Sequence, residues 1–187
     1  MAAGIPLGSI LMLCFLLSVG CAGRYRIDTN TGADGTTTYT MASNEIDIEG
    51  GTKYDAFAQQ DHHIEKRCFL DLRARDKPGA ARTFQLVLTY IGSTALDIAP
   101  GRSLEIVIGL NSTTLSAGGG EVTKSMDPST KLVTESVAYP VSSGLLIAMS
   151  EAEAVQVIVI GQDGKVKGSF SDRNFATLRR FVEEYVQ

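Results

Sequence analysis

No charged side chain precedes Arg24, and the 187-residue chain holds only two histidines and three cysteines. Its charge is mild as well, 17 basic against 21 acidic residues for a formal -4, with no basic cluster. That balance excludes nucleic-acid binding through a concentrated basic patch. It also gives no reason to expect attraction to an anionic membrane surface. The two histidines, His62 and His63, are adjacent. A Ser-His-Asp arrangement would therefore need residues 61–65 to fold against a distant serine. Ser93 and Ser143 have no assigned base, and the chain contains no G-x-S-x-G elbow and no H-E-x-x-H. Residues 118–125 (GGGEVTKS) lack phosphate-loop spacing, because Lys124 follows Thr123 where that loop needs glycine. No internal repeat of fixed period occurs. What is present excludes a disordered chain: 44% of residues are hydrophobic and 20% charged, enough to bury one domain-sized core.

The uncharged front end is densest at residues 10–19 (ILMLCFLLSV), followed by Gly20-Cys21-Ala22-Gly23. An apolar run of this length with small residues behind it is the pattern of a secretory signal peptide. A spanning helix needs about 20 predominantly apolar residues. Gly4, Pro6, Gly8 and Ser9 dilute the front half here. The segment before Arg24 has no Lys or Arg, so an uncleaved anchor stands as the alternative. The expected organisation is a signal peptide over 1–20, a tether or hairpin over 21–42, and a single β-rich domain over 43–187.

Ser18-Val19-Gly20-Cys21 resembles a bacterial lipobox, in which a small residue precedes a cysteine that receives lipid and becomes the new N-terminus. Ser18 departs from that pattern, which favours leucine three residues before the cysteine; Leu17 lies one place too early. The resemblance implies lipid on Cys21 and a membrane as partner. The alternative is an ordinary cut after Gly20 or Ala22. Cys14 would leave with the signal peptide. Cys68 alternates with Leu70, Leu72 and Ala74, so it reads as a small buried hydrophobe. If Cys21 is not lipidated, a Cys21–Cys68 disulfide becomes possible in an oxidising compartment.

Behind the leader the pattern is mostly period two. Tyr25, Ile27 and Thr29 alternate, as do Thr36, Thr38 and Thr40, around the turn cluster Thr31-Gly32-Ala33-Asp34-Gly35. Together they predict a hairpin. Strands are expected over 67–75 and 83–91, joined by Asp76-Lys77-Pro78-Gly79 and therefore antiparallel. Further strands are expected over 103–110, with Leu104, Ile106, Ile108 and Leu110 inward, and over 131–139, ending at Pro140. Residues 155–160 and 165–170 flank Gly161-Gln162-Asp163-Gly164, a hairpin signal. One helix follows Ser142 or Ser143. A second follows Ser171 or Asp172, with Phe175, Leu178, Phe181, Val182 and Tyr185 at spacings of three and four. The fold class is α+β and β-rich: an antiparallel sheet or β-sandwich with two helices, about 143–153 and 172–186.

Tyr90-Ile91-Gly92, the run from Glu135 to Val141 (ESVAYPV), Val157-Ile158-Val159-Ile160-Gly161, Phe170-Ser171 and the closing helix lie between Phe84 and Val186. This half of the chain resembles a domain of uncharacterised exported bacterial proteins. In outline it is similar to the β-sandwich of invasion-associated locus B proteins. The resemblance implies an exported sandwich fold and brings no catalytic residue with it.

Asp61-His62-His63-Ile64-Glu65 is the one stretch that gathers metal-ligand residue types. On a strand, Asp61, His63 and Glu65 would share a face. Catalytic zinc needs ligands fixed on separate rigid elements, so an exposed polar loop is the default and no metal or cofactor is expected. Glu151/Glu153 and Glu183/Glu184 read as solvated helix faces. The functional expectation is a non-enzymatic module in the bacterial cell envelope, facing the periplasm or the exterior. It would be anchored through Cys21 and would bind or support another envelope protein or polymer. The alternative is a metal-dependent or hydrolytic enzyme using His62 and His63.

Overall fold

The computed structural model describes residues 25–49, 66–117 and 122–187. Strict alternation sets its centre. In β4 (Lys66–Asp76) and β5 (Thr83–Gly92), Cys68, Leu70, Leu72, Ala74, Phe84, Leu86, Leu88 and Tyr90 all point inward and are buried. Period-two burial of this kind makes a strand the only backbone that puts all eight on one side. The two pair antiparallel from Lys66↔Gly92 to Arg75↔Thr83, around a turn in which Gly79 takes φ 76°. β9 (Val133–Val141) runs along the other edge of β5.

β1 (Ile27–Thr31) and β2 (Thr37–Met41) form the hairpin that the alternation predicted, and β2 adds to β4. Its turn is held by Asp34, whose carboxylate accepts the Thr36 backbone N–H at 3.0 Å and the Thr36 hydroxyl at 2.8 Å. With β8 (Thr123–Met126) beyond β9, the first sheet has the order β1-β2-β4-β5-β9-β8.

The second sheet has the order β3-β11-β10-β6-β7, from β3 (Asp47–Ile48), β6 (Arg102–Ile108), β7 (Asn111–Ser116), β10 (Val155–Gly161) and β11 (Gly164–Ser169). Leu104, Ile106, Val155, Val157, Val159 and Val166 are buried and join the first sheet's inner face in one hydrophobic cluster. The Tyr139 and Ser103 hydroxyls meet at 2.8 Å and tie the sheets together within it. All pairings are antiparallel, and the chain is β-rich α+β.

Two helices complete the core. Ser142 caps α1 (Ser143–Glu151), accepting the Leu145 N–H at 3.2 Å. Ser171 caps α2 (Asp172–Tyr185), which buries Phe175, Leu178, Phe181 and Val182. Neither helix has a basic residue in its last turn, yet both C-termini are covered by arginines from elsewhere. Arg179 Nε donates to the Ser150 carbonyl at 2.9 Å, and Arg82 Nη1 to the Tyr185 carbonyl at 2.6 Å. A cation over the last carbonyls satisfies orphan acceptors and opposes the helix dipole.

Several boundaries differ from the sequence expectation. β6 stops at Ile108, because Ile108 pairs with Asn111 across a tight turn in which Gly109 takes φ 59°. Leu110 therefore sits fully exposed on that turn, not inward. β9 continues through Pro140 to Val141. β8 pairs only as far as Ser136, so beyond it β9 has one neighbour, and a residue without an N–H is tolerated there. α1 ends at Glu151 and α2 at Tyr185, slightly short of the expected 153 and 186.

Candidate functional site

Cys21, Asp61, His62, His63 and Glu65 lie outside the described residues. Among the described residues no three His, Cys, Asp or Glu side chains are grouped to hold a metal. Cys68 is fully buried and unpaired, and burial raises its thiol pKa to about 12. It is an inert core residue, because reactivity needs the thiolate. Ser93 is exposed, and Ser143 is the exposed first residue of α1.

The feature with the most chemistry is a cleft of about 440 Å³ lined by Asp97, Ile98, Ala99, Pro100, Val122, Lys124, Glu135 and Gln162. It forms where the β8–β9 edge meets the loop after β5 and the β10–β11 turn. Glu135 occupies an inward position of β9, between Val133 and Val137, and is 1% exposed. Its carboxylate accepts the backbone N–H of Leu96 at 2.9 Å and of Asp97 at 3.1 Å. Lys124, its register partner on β8, approaches to 3.7 Å and also ion-pairs with Asp97.

The loop is clamped from the other side too. The Asp97 carbonyl accepts the Gln162 N–H at 3.0 Å, and Ile98 bridges to Gly161. A Cβ at position 161 would collide with the Leu96 carbonyl, so glycine permits the approach. Asp97 itself takes φ 50°, a left-handed conformation that aspartate tolerates better than most residues.

No family model matches the chain, and neither a curated protein nor a solved structure matches it. A general acid or base works best with a pKa near the operating pH. Here the shifts run the other way. The hydrogen bond from Lys124 holds the Asp97 carboxyl below the usual carboxylate range, and the same bond raises the Lys124 ammonium. A permanently protonated lysine is not a nucleophile. Both Glu135 oxygens are already engaged by backbone donors. The arrangement is a clamp: one buried carboxylate fastens the 93–101 loop to β9, and Lys124 closes over it. The open part of the cleft presents one ammonium among carboxylates, with apolar Ile98, Pro100 and Val122 beside them.

Sequence reasoning passed over this cluster. Glu135 was visible as an acid at the inward parity of an apolar strand, which is costly unless donors await it. The donors come from residues almost forty positions away and leave no local pattern. A second buried polar cluster was missed for the same reason. Asn174 Nδ2 donates to Asn44 Oδ1 and to the Glu45 carbonyl, both at 2.8 Å, and Asn44 Nδ2 donates to the Leu70 carbonyl at 2.9 Å. Beside it, burial raises the Asp71 carboxyl pKa, while Asp71 Oδ1 accepts the Asn44 N–H at 2.9 Å. These bonds fasten the start of α2 to β4 and are structural.

Proposed function

We propose that the chain is an exported bacterial envelope protein, held on a membrane through lipid on Cys21, whose β-rich body binds or supports another envelope component without catalysing a reaction. The carrying observation is the division of the chain near residue 24. Upstream lies an uncharged apolar run ending in Gly20-Cys21. Downstream, the sheets, helices and core cluster described above are built from Tyr25 onward. An apolar run ending in Gly20-Cys21 close before a folded body is compatible with a lipid-anchored module. The likeness to exported sandwich domains points the same way. So does the Asp97–Lys124 pair, whose mutual hydrogen bond lowers the carboxyl and raises the ammonium, away from the range that acid–base chemistry uses.

The test is the intact mass of the chain from the membrane fraction. A diacyl or triacyl adduct on Cys21, lost in Cys21→Ser, is the expected result. An unmodified soluble chain beginning at Ala22 or Gly23 would remove the anchor. The enzyme alternative has its own readout: stoichiometric zinc in the purified protein, lost in His63→Ala, would replace the binding-module reading.

A further inference from the structure

The anchor, if lipid sits on Cys21, is attached to one particular corner of the molecule. Tyr25 Oη donates to Glu184 Oε2 at 3.0 Å, and the Arg180 guanidinium lies 4.2 Å from the centre of the Tyr25 ring. Arg180 also pairs with Glu184 at 2.8 Å. Two residues later Ile27 enters the sheet opposite Met41. The body is thus fixed to its own N-terminal side from Tyr25, on the last turns of α2.

Cys21 and Tyr25 are four residue steps apart, at most about 14 Å of fully extended chain. An uncleaved apolar run ending at Val19 would give six steps, about 21 Å. Neither leaves room for the body to tumble freely above a bilayer. The corner's charge is mixed, with Arg26 paired to Asp28 and Arg180 to Glu184 at the surface, so the short tether and not charge sets its place at the bilayer.

The sheet then sets what faces outward. β1 is one edge of the six-stranded sheet and β8 the other. Five strand intervals separate them, about 24 Å along the sheet.

We propose that the β1 edge and the last turn of α2 lie against the lipid bilayer, and that the β8 edge, with the Asp97–Lys124–Glu135 cleft, is presented away from it. This orientation rests on the lipid-anchor reading and adds to it the surface that meets lipid and the surface left open to a partner. The envelope component would be met on the cleft side.

The experiment uses the full chain, acylated in cells and reconstituted into vesicles containing phosphatidylglycerol and headgroup spin-labelled lipid. A fluorophore is attached at Glu183→Cys or Asp28→Cys near the proposed lipid surface, and at Ser125→Cys or Thr123→Cys on β8. All four positions are exposed, so the fold should carry each label. Cys68 is buried and does not compete for the reagent. Several-fold stronger quenching at 183 and 28 than at 125 and 123 is the expected result. Equal quenching, or stronger quenching at β8, in a chain whose Cys21 adduct is confirmed by mass overturns the orientation and leaves the anchor standing. A chain without the adduct that fails to associate with vesicles overturns both.

Discussion

Glu135 shows how one residue can carry a loop. Its two oxygens take the N–H groups of Leu96 and Asp97, and at 1% exposure no solvent replaces it. Glu135→Ala should cost roughly 2–4 kcal/mol, since each buried donor left unsatisfied costs about 1–3 kcal/mol. Lys124→Ala should cost well under half of that. Its side chain is 46% exposed, and exposed ion pairs contribute about 0–1 kcal/mol. Urea unfolding of both variants measures the difference. If the two cost the same, the salt bridge and not the amide contacts holds the loop. Cys68 gives a pH signature. Burial raises its folded pKa to about 12 from an ordinary 9.0. The neutral thiol of the folded state therefore favours folding fully below pH 9, and that contribution is lost as pH rises from 9 toward 12. Chemical denaturation between pH 8 and 11 should show stability falling above 9, and the fall should be smaller in Cys68→Ala.

At the level of elements, α2 shows what local sequence can and cannot disclose. Its start was legible: Ser171 accepts the Asn174 N–H, and Asn174 Oδ1 accepts the Ser171 N–H at 2.8 Å, a capping box with asparagine in the third position. The tertiary role of Asn174 was not legible, because its partners Asn44 and Glu45 come from a distant segment. Ser171→Ala should cost about 1 kcal/mol, the usual loss of a cap. Asn174→Ala should cost more, roughly 2–4 kcal/mol, because it also strands Asn44 and the Glu45 carbonyl in the interior. Thermal unfolding of the pair would rank them, and the reverse order would make the cap the dominant contribution. Strands divide in the same way. β4, β5, β9 and β10 were readable because one face is buried and the alternation is strong. β7 (NSTTLS) and β8 (TKSM) were missed because almost every residue in them is exposed. An edge strand with water on both faces has no apolar period to detect, and polar edges also discourage pairing with other chains. β3 is two residues long and is defined only by its partner β11.

For the whole molecule, the question is where the folded body begins. The alternation in residues 21–42 favours a hairpin over a tether, and the register shows what the hairpin does. β2 covers the outer edge of β4 from Leu72 to Asp76, Met41 is fully buried, and Tyr39 stacks on Tyr185 at 4.8 Å. Tyr25 holds the last turns of α2 through Glu184 and Arg180. A chain beginning at Arg24 should therefore match the unfolding midpoint of the full-length chain. A chain beginning at Ser43 should lose the Met41 contribution, about 2–5 kcal/mol for a buried methionine truncated to nothing larger than alanine. It should also leave the backbone N–H and C=O groups of β4 from Leu72 to Asp76 unpaired, an edge open to self-association. The expected outcome is a lower melting temperature and concentration-dependent aggregation for the shorter chain alone, followed by calorimetry and light scattering. Equal melting of both chains would mean that the hairpin is an appendage, that the Tyr25 contacts do not hold the body to its N-terminal side, and that an anchor at Cys21 of the kind proposed would leave the rest of the molecule free to turn.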